Sequence, residues 1–133
     1  MTSAQTTAQQ YQRAQVGTVD RGRLLLLMYE GAQKFLGLAE QGLETDDMVM
    51  FGTHLARAQA VIAELMHTLD HDKGGEIAAN LERLYRFMLD HLVEANLQKS
   101  PRHLVRVRTM LGTIASAYRD VLQSGGPQKL DAA

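Results

Sequence analysis

The chain has 133 residues, a net charge of −1 and no cysteine. That length fits one domain with a sizeable core, and without cysteine there are no disulfides, no thiolate catalysis and no cysteine-ligated zinc. The near-neutral charge supplies no global field to recruit nucleic acid or an anionic membrane.

No apolar run approaches the roughly 20 residues needed to cross a bilayer. Met1 to Gln15 is polar and lacks the apolar core of a secretory leader, so a cytoplasmic location is expected. Only two prolines occur, strand-like alternation is nearly absent, and Ala, Leu, Gln, Glu and Arg dominate. All of these favour helix. Seven methionines stand against no tryptophan. Methionine fills irregular core gaps, and it also suits surfaces that re-pack around peptides.

Residues 1–16 are rich in Gln, Thr and Ala, with Tyr11 the one large apolar group before Val16. They read as a flexible N-terminal arm. Asp20 is placed to cap a first helix beginning near Arg21. In that helix Leu24, Met28, Ala32, Phe35 and Ala39 share a face, flanked by Leu25, Leu27, Leu36 and Leu38. The apolar arc spans roughly 200°, about twice what a surface helix needs. Gly31 and Gly37 interrupt the pattern; each weakens a helix by up to about 1 kcal/mol unless close packing explains it.

A turn over Gly42 to Asp46 ends this helix, and Asp46 or Asp47 starts the next. There Phe51, Leu55, Ala58, Ile62, Leu65 and Leu69 step four and three, the narrow seam of a bundle. Asp70 to Lys73 reads as a polar turn, and Gly74-Gly75 as punctuation before a third helix that runs to Leu97. Its stripe is Ile77, Leu81, Leu84, Met88, Leu92 and Ala95, with Phe87 on one flank and Tyr85 and Leu89 on the other. This arc too is roughly 200° wide. Ser100-Pro101 opens a fourth helix, serine at the cap and proline at the first position. Leu104, Val107, Leu111, Ile114, Tyr118 and Val121 carry its seam, and Gly125-Gly126-Pro127 ends it. The fold class expected is all-α: an antiparallel up-down four-helix bundle over 17–124, followed by a disordered tail over 125–133.

A catalytic set is hard to assemble. Di-iron bundles use two Glu-x-x-His pairs and two further glutamates; this chain has one such pair, Glu64 and His67, off the seam. His67 and His71 have ligand spacing, but His71 falls where the helix is ending. His91 lies on the stripe of the third helix, where an interior or groove histidine is expected. There is no glycine-rich phosphate loop after a strand. Arg102, Arg106, Arg108 and Arg119 make the fourth helix basic, but only Arg102 and Arg106 share a face, as expected of a solvated surface. Two amides in the third helix leave two readings open. Asn80 and Asn96 either cap and anchor turns, or bind both N–H and C=O of a foreign backbone.

Taken together, these residues resemble the flagellin export chaperone family FliS. The most specific stretch is Asp72-Lys73-Gly74-Gly75-Glu76-Ile77-Ala78-Ala79-Asn80-Leu81, followed by Leu84-Tyr85, Phe87-Met88 and Ala95-Asn96-Leu97. Gln15-Val16 with Thr18, Leu27 to Ala32, and Ala58 to Leu69 support it. The chain departs from the family at Asp20-Arg21, where a proline is usual, at Ser100-Pro101 after Lys99, and at Tyr118, where a tryptophan is common.

The resemblance implies a non-enzymatic bundle without metal, ATP or other cofactor. It implies a monomer that binds the disordered C-terminal segment of flagellin one to one, prevents its premature polymerisation, and delivers it to an export gate component of the flagellar type III apparatus. Neither nucleic acid nor membrane insertion is involved. The implied flagellin-binding groove falls on Tyr11, Val16, Leu27, Ile62, Glu76, Asn80, Leu84, Tyr85, Met88, Leu92, Asn96 and Leu97, with the N-terminal arm able to cover part of it when cargo is absent. The alternative is a helical adaptor whose wide apolar arcs serve oligomerisation without flagellin cargo; a metal-dependent bundle enzyme is a third reading.

Overall fold

The structure, a computed structural model, describes the backbone of residues 3–124 and the side chains of residues 21–124. Four α-helices account for the described chain: α1 (Ser3–Glu44), α2 (Met48–His67), α3 (His71–Gln98) and α4 (Pro101–Ser124). No strand occurs among the described residues.

Three of the four helix starts follow local capping chemistry. Asp47 caps α2, its carboxylate accepting from the Met50 N–H at 3.0 Å. Asp70 caps α3 in the same way through Lys73 N–H, also at 3.0 Å. Before α4, the Ser100 hydroxyl lies 3.5 Å from His103 N–H and Pro101 is the first helical residue. Each cap satisfies one of the orphan N–H groups of a first turn. At the end of α3, Lys99 turns left-handed (φ 51°) and the Ser100 N–H closes back on the Ala95 carbonyl at 3.1 Å, a helix-stopping geometry that frees the chain to reverse.

Two expected boundaries are corrected. Helix α1 starts at Ser3 and runs through Asp20, so Asp20 is not its cap. The stretch from Ser3 to Asp20 has no proline and is rich in Ala and Gln, so nothing in it stops a helix. Helix α3 starts at His71, not after the glycine pair. What reads as a polar turn, Asp70 to Lys73, is the cap and first turn of the helix, and the break comes at Gly75, whose φ of 50° and ψ of −118° kink it. A side chain at that φ would be strained, whereas glycine adopts it freely.

The helices form a ring in which α1 packs on α2 and α4, and α3 packs on the same two, leaving α1 and α3 on a diagonal. Along α4, Arg108, Gly112 and Arg119 meet Glu40, Gln33 and Glu30 of α1 in turn, so the two helices run in opposite directions. Pairing of Arg108 and Arg119 with α1 carboxylates also removes half of the apparent basic face of α4. The seam of α2 is buried as expected at Phe51, Leu55, Ala58, Ile62 and Leu65. Of the α4 seam Leu104, Val107, Leu111 and Tyr118 are buried, joined by Ala115, while Ile114 and Val121 are only half-buried. In α1 and α3 the expected stripe is buried in part: Ala32 and Ala39 of α1 and Met88, Leu92 and Ala95 of α3 are core as expected. Elsewhere along each stripe the core takes the next residue, Leu25, Tyr29 and Leu36 in place of Leu24, Met28 and Phe35, and Ala78 and Tyr85 in place of Ile77 and Leu84. Leu24 and Ile77, expected at the stripe's start, are each 58% exposed.

The candidate cargo groove

The rotation of α3 follows from Tyr85. Its ring is fully buried, and its hydroxyl bonds that of Tyr29 on the diagonal helix. Tyr118 of α4 completes the cluster, its ring centre 5.2 Å from that of Tyr29. Buried hydroxyls need partners, and these tyrosines provide them for one another. With Tyr85 turned inward, the apolar residues one step behind it turn outward. Leu84, and Ile77 two turns earlier on the same face, are therefore left 39% and 58% exposed; Phe87, beside buried Met88, is 41% exposed.

Part of this surface lines a groove of about 320 Å³ between α3 and α4. Ile77 and Leu81 form one wall; Ile114, Ala117, Tyr118 and Val121 form the other. The alternation continues beyond the groove. On α3 the row Ile77, Leu81, Leu84, Met88 and His91 steps four, three, four and three; Met88 in that row is buried, and Leu84 and His91 carry the accessible face onward. His103, Met110, Ile114, Ala117 and Val121 share a face on α4 by the same geometry. A larger recess, about 580 Å³, lies where the α1–α2 and α3–α4 connections meet, but its wall carries Glu40, Glu44, Asp46 and Lys99. That polar lining suits an apolar segment less well than the α3–α4 groove does.

The residues expected in a binding groove divide into three groups. Ile62, Tyr85, Met88 and Leu92 are completely buried in the core. Leu27, Glu76, Asn80, Leu84, Asn96 and Leu97 are exposed, Leu27 and Leu97 to 66% and 72%. The side chains of Tyr11 and Val16 lie outside the described residues. Leu27 belongs to α1, on the far diagonal from α3, so the exposed members do not converge on a single cleft. Asn80 accepts from Arg83, and Asn96 accepts through both its amide oxygen (3.1 Å) and its carbonyl (2.9 Å) from the Lys99 ammonium. Both amides are thus exposed and bonded within their own helical neighbourhood, with remaining capacity facing solvent.

Sequence reasoning passed over Ile114 and Val121 as groove residues, because a seam residue of α4 looks like core. It also missed the pairing of His91 with His103, whose ring centres lie 4.3 Å apart. That pairing depends on the α3–α4 reversal and leaves no trace in spacing along the chain. Glu64 and His67 are exposed on α2, His71 lies 3.7 Å from Glu82, and no group of three potential metal ligands assembles among the described residues. No helix of the described residues is long and apolar enough to cross a membrane.

Fold and groove together define a small all-α helical bundle that keeps apolar surface open between two of its helices. The family model described as Flagellar protein FliS matches residues 3–125, and the chain belongs to that family. It is 34% identical over 114 residues to the flagellar secretion chaperone FliS of Bacillus subtilis, covering 86% of this chain and 84% of that one. It is 33% identical over 119 residues to the flagellar secretion chaperone FliSB of Pseudomonas aeruginosa, covering 86% and 94%. With the flagellar secretion chaperone FliS of Salmonella typhimurium the identity is 36% over 100 residues, 74% of each chain.

Proposed function

We propose that this protein is a cytoplasmic, non-enzymatic export chaperone that holds the disordered C-terminal segment of flagellin, keeps it from polymerising early, and delivers it to the flagellar type III export gate. The observation that carries the reading is the apolar α3–α4 groove, bordered by exposed Ile77 and Leu84 on a helix already anchored by a buried tyrosine. Amphipathic segments bind such grooves through apolar anchors at helical spacing. Covering a half-exposed Ile, Leu or Phe contributes roughly 1 kcal/mol, and ordering the segment opposes part of that gain. The balance holds cargo firmly and still allows release at the gate.

Cargo binds one to one in this account. Asn80 and Asn96 border the groove helix and offer amides to the cargo backbone, and the N-terminal arm with Tyr11 and Val16 covers part of the apolar surface when cargo is absent. Calorimetric titration of the chain with flagellin, intact and lacking its C-terminal segment, tests the reading. A 1:1 complex that requires the segment is expected. Equal binding of truncated flagellin would refute it. Self-association that persists, with no flagellin complex at all, would favour an oligomerisation bundle.

A further inference from the structure

The two ends of the α3–α4 face differ in chemistry. At one end Ile77 and Val121 are purely apolar. At the other, the His91 ring lies 4.3 Å from His103 and 5.0 Å from Phe87, centre to centre, and the Arg106 guanidinium sits 5.8 Å from the Phe87 ring centre. Ser100 Oγ is 2.7 Å from His103 Nδ1 and fixes that ring. Of the charged groups that face His91, His103 and Arg106 come from α4 and Glu94 from its own helix. One guanidinium and two imidazoles thus stand with a single carboxylate further along the α3–α4 face, beyond the groove that Ile77 and Leu81 line. From Ile77 to His91 is fourteen residues, about 21 Å of helix.

We infer that the cargo segment in this groove is an amphipathic helix of about fourteen residues whose far end places an aspartate or glutamate side chain against His91 and His103, so that cargo is held more tightly as pH falls. This inference rests on the chaperone function proposed above and adds where along the α3–α4 face the segment's carboxylate is held and the pH dependence that follows.

In the free chain, burial first, then His103 and then Arg106 hold the His91 imidazole below its ordinary range, with Glu94 pulling the other way. A carboxylate arriving within about 4–6 Å favours the charged imidazole and forms a charge-assisted hydrogen bond with it. Binding therefore takes up a proton. Affinity rises as pH falls through the pKa of His91 in the complex and levels off below its pKa in the free chain. Each unit between those two values corresponds to about a tenfold gain.

The test uses the full chain and a synthetic peptide of the flagellin C-terminal segment, titrated calorimetrically from about pH 8 to about pH 5.5, the range in which imidazoles change charge. The His91 and His103 ring protons are followed by NMR in both states. The expected result is a several-fold gain in affinity toward the acid end and a higher His91 pKa in the complex. Both effects should vanish with a peptide whose Asp and Glu are Asn and Gln, and the affinity gain should vanish in the His91→Gln, His103→Gln double variant. Tight binding that does not change with pH overturns the inference and leaves the chaperone function standing. A pH gain that survives in the double variant also overturns it. A peptide that fails to bind at every pH removes both.

Discussion

The hydroxyl of Tyr29 on α1 meets that of Tyr85 on α3 at the centre of the bundle, joining the two helices that stand on a diagonal of the ring. Burial raises both phenols well above the ordinary value of 10.0, and the neighbouring Tyr118 is raised for the same leading reason. Raised folded-state values mean that the unfolded chain loses these protons first. The tyrosine contribution is therefore complete below about pH 10 and declines as pH rises above it. Urea unfolding at increasing pH should show stability falling steeply from about pH 10, more gently in Tyr85→Phe. At neutral pH Tyr85→Phe should cost about 1–2 kcal/mol, because the Tyr29 hydroxyl loses a buried partner.

Gly42 and Gly31 should respond to alanine in opposite directions. A Cβ at Gly42 would stand 2.6 Å from the Phe51 nitrogen and 2.9 Å from the Asp47 carbonyl, backbone atoms that cannot move aside, so Gly42→Ala should destabilise by about 1–3 kcal/mol. A Cβ at Gly31 meets nothing within 4 Å. Close packing therefore does not explain that glycine, and Gly31→Ala should stabilise by roughly 0.5–1 kcal/mol. Denaturant midpoints of the two variants, measured side by side, check the pair.

Asn80→Ala and Asn96→Ala remove exposed amides whose present partners, Arg83 and Lys99, are themselves exposed. Stability should change by no more than about 0.5 kcal/mol, while affinity for the flagellin segment falls several-fold. Thermal unfolding and calorimetry on the same samples separate the roles. A large loss of stability with unchanged binding would mean that the amides serve only to anchor their turns.

Deleting residues 1–16 should raise the affinity for flagellin or speed its association. Burying Tyr11 gains roughly 1.5–3 kcal/mol, while fixing several arm residues costs about 1 kcal/mol or more each, so a docked arm yields to a longer apolar ligand. Hydrogen exchange over the arm gives the direct readout: faster exchange with flagellin peptide present fits competition, and stronger protection contradicts it.

How far the sequence reveals this molecule differs from helix to helix. In α2 a single narrow seam admits one rotation, and Phe51 through Leu65 are buried as their spacing requires. In α1 and α3 the apolar arc is about twice as wide as the face the core can cover, and spacing alone does not say which half turns inward. The tyrosine pair decides it, since Tyr29 and Tyr85 find hydroxyl partners only at the centre. That choice sets Leu25 inside and Leu24 outside, Ala78 inside and Ile77 outside. The excess width of the arcs was legible in the sequence; the rotation that turns the excess into a groove against α4 needed the third dimension. The kink at Gly75 was legible as a break and not as a kink, because Asp70 caps a turn ahead of it.

Binding of the flagellin C-terminal segment by Ile77→Asp, Val121→Asp bears most directly on the claim that the α3–α4 groove holds cargo. Both side chains line the groove and neither is fully buried, so the bundle should still fold, and a Val49→Asp variant on α2, 79% exposed in the free chain, serves as the control. The account predicts an affinity loss of about tenfold or more, at least 1.4 kcal/mol, in the groove variant and none in the control. Wild-type affinity in a folded Ile77→Asp, Val121→Asp protein would contradict it.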